Sequence, residues 1–238
     1  MVRDEHRAET LHALRRLCGK VARPPEAEQE ARLSLGIPAL DALLPGRGLE
    51  RGSLVEWLAS VEGCGAATLA LQGVRCALAQ HLVWAVVDAA AEFHPPAARG
   101  WGIPLESLLL LRPLAADAVW TVEQCLRCPA VGITWCWAAH LPDQVARRWK
   151  LAAEIGGGIG VLFRPDAVRR APGADVRWRV QPRTTVKTGS RTLRVELVSC
   201  RGAFAGGSVE LDVNDATGDV RLDSVVAGAT TAVWAAGA

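Results

Sequence analysis

From residue 33 onward the apolar positions follow two alternating periods. Largely apolar runs at 53–58, 82–87, 105–111, 131–137 and 160–163 predict strands. Between them lie amphipathic helices. Residues 66–80 carry Leu69, Gly73, Cys76 and Ala77 on one face. A second helix, capped by Asp117, buries Val119, Val122 and Leu126. Pro142 opens a third, with Val145, Trp149 and Ala152 inward, and Gly156 stops it. Continuous apolar strands alternating with helices specify an α/β fold whose mainly parallel sheet is covered on both faces.

After Pro165 the pattern changes. Short strands are expected at 176–180, 192–199, 208–213 and 219–222, with a turn at 214–218 between the last two. They read as an antiparallel extension of the sheet. The chain therefore divides into an N-terminal helical arm and linker (1–31), a core with its β extension (32–226, parallel to about 165) and a small-residue tail (227–238). In the arm, Leu11, Leu14 and Cys18 fall at i, i+3, i+7, with Arg7, Arg15 and Arg16 around them, before a linker at Arg23, Pro24 and Pro25. This stripe suits a helix packed on its own domain or one offered to a partner, or to a second copy of the chain.

Composition narrows the classes. The 238 residues are half hydrophobic and carry a net charge of +2, so overall charge names no partner. No apolar run reaches the ~18 residues of a membrane span. The first ten residues carry acids and no apolar core, so a secretory signal is not expected and a cytoplasmic location is. The seven cysteines are irregularly spaced, which suits reduced, buried thiols. Cys125 and Cys128 form a lone CxxC, short of the four ligands of a structural zinc site, so no metal is expected.

The segment from Gly36 through Pro45, Gly46, Gly48 and Gly52 into Ser53 and Trp57 resembles the entry to the RecA ATPase core. The spacing of Asp88, Pro95, Gly102 and Leu108 resembles the RecA pattern between its second and third strands. The resemblance spans a little over half the chain and implies a RecA-like P-loop-NTPase core. A P-loop reads GxxxxGK[ST]: its amides cradle phosphates, its Lys supplies charge and its hydroxyl holds Mg²⁺. Here the matching residues are Ser60, Val61, Glu62, Gly63, Cys64, Gly65, Ala66 and Ala67. Gly65 survives, Ala66 replaces the Lys and Ala67 the hydroxyl, while Thr68 comes one residue late. The position of the catalytic acid is Ala90, and the run 131–137 that matches the Walker B strand contains no acid. No cofactor is expected, and ATP hydrolysis is not.

Within RecA-like proteins this combination is similar to the ImuA family, including members labelled SulA-like; the wording of 192–202 and 208–222 resembles it too. The resemblance implies a non-catalytic accessory protein of translesion synthesis. Its implied partners are ImuB, which is an inactive Y-family polymerase homologue, an error-prone polymerase and RecA. Two other functions stay open at this point: an ATP-dependent RecA-like DNA-binding ATPase with an unorthodox loop, and a SulA-like cell-division inhibitor.

Two further features bear on partners. Arg169, Arg170, Arg177, Arg179, Arg183, Lys187, Arg191, Arg194 and Arg201 crowd one region, opposed nearby in sequence by Asp175 and Glu196. With Trp178 interleaved they would form a single-stranded DNA surface, an acidic-partner surface, or a charged guard on an edge strand. There are nine tryptophans and no tyrosine. Trp57, Trp84, Trp135 and Trp137 are expected in the core, the last two filling the vacated nucleotide cleft, and Trp234 is a candidate anchor in the tail. His94 near Asp88 and Glu92 lacks a nucleophile elbow, which argues against hydrolase chemistry.

Overall fold

The computed structural model describes residues 2–20, 32–80, 82–167, 173–184, 189–203 and 205–226. The linker at 21–31, the tail with Trp234, and Arg169, Arg170 and Lys187 lie outside them. The chain begins with α1 (Val2–Lys20), followed by β1 (Arg32–Leu33), α2 (Pro38–Asp41) and β2 (Leu49–Glu50). The core runs β3 (Leu54–Ala59), α3 (Ala66–Ala79), β4 (Val83–Val87), α4 (Pro95–Gly100), β5 (Leu108–Leu111), α5 (Ala115–Arg127), β6 (Val131–Trp137), α6 (Asp143–Gly156) and β7 (Ile159–Pro165). It closes with β8 (Val176–Arg183), β9 (Ser190–Cys200), β10 (Ser208–Asn214) and β11 (Val220–Val226).

Among the described residues nine strands form one sheet in the order β11-β10-β9-β8-β3-β7-β6-β4-β5. Strand alternation assigns side chains to two cores. Val55 and Trp57 of β3, Ile133 and Trp135 of β6 and Val161 of β7 pack with Leu69, Ala70 and Val74 of α3. Leu54, Cys136 and Leu162 point the other way, onto Val122 and Leu126 of α5 and Trp149 and Ala152 of α6. The expected parallel α/β core is present.

The differences from the sequence reading have local causes. β8 pairs parallel with β3, Val55 opposite Val176 and Trp57 opposite Trp178, so the parallel sheet extends past residue 165 by one strand. Antiparallel pairing starts between β8 and β9. Asp117 is not the cap of α5, which starts at Ala115 after Leu114. It sits at the third helical position, buried, and Arg7 of α1 donates to it from Nε at 3.1 Å. Val119 is 36% exposed on that helix. Gly156 is the last residue of α6, as expected, and Gly157 caps it with a left-handed φ of +73°.

α1 docks on its own domain. The Arg7 guanidinium lies 5.1 Å from the Trp120 ring centre. Leu14 is buried in the second core and Leu17 packs against it. Thr10 and Leu14 are its buried residues, with Arg7 and Leu17 half-buried. Leu11 is half-buried and Arg15 exposed; the side chain of Cys18 lies outside the described residues.

Candidate functional site

The residues matching a P-loop connect β3 to α3, at the carboxyl edge of the parallel strands where open α/β sheets bind their ligands. Gly65 caps α3 in a left-handed conformation, φ +93°. The turn favours glycine, and an added Cβ would stand 2.6 Å from Leu193 Cδ1 of β9 and displace the end of that side chain. The Cys64 N–H donates to Val61 O at 3.2 Å, and the Ser60 N–H to Val180 O at 3.3 Å. Those two amides are therefore engaged within the chain. Ala66 is buried, and Ala67 and Thr68 are half-buried. Thr68 is turned about 100° from the position of Ala67. Val61, Glu62 and Gly63 are exposed, so a carboxylate is the charged group that this loop presents.

The end of β4 is also recast. Asp88 is 2% exposed and accepts from the Glu92 N–H at 2.9 Å, the Phe93 N–H at 3.1 Å and Arg112 Nε at 3.3 Å. Its carboxylate closes the loop 88–93 on itself. Ala90, which the sequence reading put at the place of a catalytic acid, is exposed within that loop.

Aromatic rings occupy the same edge. Trp135 meets Trp84 at 4.8 Å and Phe163 at 4.9 Å, both edge-on. Trp137 lies 5.3 Å from Phe163 and 6.3 Å from Phe93. Trp135 is buried, as are Trp57 and Trp84, whereas Trp137 is 39% exposed at the rim and is not the core residue expected. These rings gather at the ends of β6 and β7 and in the loop after β4, around the strand end that matches Walker B.

The basic region divides differently from its sequence grouping. Trp178 is fully buried, its ring 6.1 Å from that of Trp57. It stacks in the core and offers no ring to a nucleobase. Arg177 and Arg164 both donate to Glu56, which is 0% exposed in the middle of β3. Arg179 lies 2.9 Å from Asp166 and 3.0 Å from Glu196. Arg183 lies 3.5 Å from Glu210, Arg191 pairs with Asp215, and Arg194 reaches Ser208 Oγ at 3.5 Å. Most of the opposing acids come from other strands. The sequence reading missed Glu56; its one signal was a carboxylate inside the apolar run 54–58.

The lone CxxC is buried on the second core. Burial holds the Cys125 thiol well above its ordinary range and pushes Cys136 up to about 12, so both are neutral thiols. Among the described residues no group of three or more His, Cys, Asp or Glu is placed to hold a metal ion, and no helix is long and apolar enough to cross a membrane.

No protein-family model matches the chain. It is 32% identical over 199 residues to the protein ImuA of Caulobacter vibrioides, covering 74% of this chain and 81% of that protein. It is 32% identical over 149 residues to RecA of Chlorobium chlorochromatii, covering 60% of this chain and 40% of that RecA. RecA of Chlorobaculum tepidum is 36% identical over 149 residues. The RecA likeness agrees with the order of elements in the parallel core. With the ImuA match covering most of both sequences, the chain belongs to the ImuA family.

Proposed function

We propose that this chain is a non-catalytic RecA-like accessory protein of DNA-damage tolerance, which joins protein partners without hydrolysing ATP. The observation that carries the reading is the loop 60–68. It keeps the strand–loop–helix frame of a nucleotide cradle while Ala66 and Ala67 stand where the Lys and the Mg²⁺-holding hydroxyl would be. Each charge-assisted hydrogen bond to a phosphate is worth about 1.5–3 kcal/mol, and this cradle lacks those of the Lys as well as the metal contact. The resemblance to the ImuA family supports as partners a polymerase homologue resembling ImuB, an error-prone polymerase and RecA. Single-stranded DNA is a weaker candidate, because a phosphate backbone would have to displace Asp166, Glu196, Glu210 or Asp215 from the arginines they already hold.

Calorimetry with Mg²⁺-ATP, with and without single-stranded DNA, tests the proposal. The expected result is no binding heat at millimolar nucleotide, with a polymerase homologue or RecA still bound. ATP binding at micromolar concentration would overturn it.

A further inference from the structure

An opening lies at the carboxyl ends of β4 and β6, on the α5–α6 side of the sheet. It has a volume of about 240 Å³ and is walled by Ala90, Val119, Val122, Trp137, Leu141 and Trp149. Ala90 is the position of the missing catalytic acid, and Trp137 ends the strand that matches Walker B. An active relative of this fold would have a carboxylate where this chain has apolar wall. The change of lining points away from water chemistry and toward an apolar guest.

Size limits that guest. Small-molecule pockets run from about 300 to 1,000 Å³, so this one suits a single side chain or two. The wall is rigid where it matters. Trp149 is buried and donates from Nε1 to Val119 O at 3.1 Å, locking α6 to α5 behind the opening. Trp137 stands 39% exposed at the mouth, the residue type most often found at the centre of protein interfaces.

Charge fixes the flank of the guest. Asp88, Glu92 and His140 are the polar residues of the lining. Asp88 is spent on Arg112 and two backbone amides. Glu92 is exposed and has no ion pair among the described residues, and Asp143 opens α6 just beyond Leu141. A cation beside the anchor would meet both. The chain's own tail offers Trp234 between Val233 and Ala235 with no cation near it, so it satisfies only half of the requirement.

We propose that this opening is the docking pocket for a protein partner, taking a leucine or tryptophan anchor flanked by lysine or arginine. The assignment rests on the accessory-protein reading and names the site through which it would act.

The test is a ¹⁵N NMR titration with the peptide acetyl-Lys-Leu-Trp-Arg-amide, against acetyl-Lys-Ser-Ser-Arg-amide and the 227–238 tail peptide. The first peptide is expected to shift the amides of Ala90, Val119 and His140 and the Trp137 indole, with saturation, and the other two are not. Ala118→Leu fills the pocket with a residue suited to a helix and is expected to abolish these shifts. Glu92→Lys leaves the pocket open and is expected to weaken the peptide by about five-fold. Shifts elsewhere, equal shifts with the serine peptide, or insensitivity to both substitutions would overturn the assignment. Shifts at these amides on concentrating the protein alone would give the pocket to a second copy and also overturn it. An ATP titration of the same samples separates the two readings. Nucleotide binding would undo the accessory role whatever the peptide does, whereas silence to both ligands would undo only the pocket.

Discussion

The two halves of the sheet handle charge in opposite ways. In the parallel half, β8 apart, the strands from β5 to β3 lie between two cores and read as mostly apolar runs. The exception is Glu56, 0% exposed, bound to Arg164 at 4% and Arg177 at 11% side-chain exposure. In the antiparallel half, Leu193, Val195, Leu197, Val209, Leu211 and Val213 face the first core. Thr192, Arg194, Glu196, Glu210 and Asp212 alternate with them and stay half-buried. The same residue types are thus a desolvated triad in one half and a water-washed mosaic in the other. A buried ion cluster is costly to break and cheap to replace whole; a surface pair is worth about 0–1 kcal/mol.

The sharpest way to break that comparison is Glu56→Ala. It leaves two buried guanidiniums without their carboxylate and is expected to cost about 3–5 kcal/mol, read as a fall in the urea midpoint. Replacing Glu56, Arg164 and Arg177 together with methionine is expected to be neutral or mildly stabilising. If the single change costs under about 1 kcal/mol, the two halves do not differ as argued.

Trp178→Ala comes next. It removes a fully buried ring from the first core, at an expected cost of about 3–5 kcal/mol. Trp178→Phe keeps most of the packing and should leave any DNA affinity unchanged, since the ring does not reach solvent. A loss of DNA binding without loss of stability would return Trp178 to the surface.

These outcomes bear on what the sequence could reveal. The parallel strands were legible because strands buried on both faces leave continuous apolar runs. β8 was not, because Val176, Trp178 and Val180 alternate with arginines, a pattern shared by any strand with one buried face. Its parallel direction is set by the place beside β3, which periodicity does not encode. The identities at the loop 60–68 and at Ala90 are read directly from the sequence, and the structure adds only that 60–65 join β3 to α3. The pairing of the arginines was not, because Glu210 and Asp215 lie 27 and 24 positions from Arg183 and Arg191 and meet them only through the register of β8, β9 and β10. The arm shows the same limit. Leu14 was found, but the docking of Arg7 was not, because its partner Asp117 lies 110 positions away.

Arg7→Ala sharpens the contrast with a buried carboxylate that α1 contacts. Asp117 is 1% exposed beneath the arm. Losing its partner is expected to cost about 1–3 kcal/mol. Much of this should be local, as undocking of α1 lets water reach the carboxylate. Limited proteolysis should then cut within 2–20 before the core unfolds. Asp117→Asn in the same background should recover part of the loss, which a purely steric role for Arg7 would not allow.

The smallest effect belongs to the antiparallel half. The Arg183 side chain is 54% exposed, and its Glu210 partner is 22% exposed at 3.5 Å. Water and salt already screen such a pair, so Arg183→Ala should change stability by less than about 1 kcal/mol, and by less still at high ionic strength. Its use is diagnostic. If this face tracks a nucleic-acid backbone, each phosphate-neutralising arginine contributes roughly 0.7 to the slope of log affinity against log salt for a single strand. Since Arg183 already holds a carboxylate, the substitution is expected to leave that slope unchanged. A lower slope with unchanged stability would mean that Glu210 gives way to phosphate, and that the mosaic of paired charges is a DNA surface at rest.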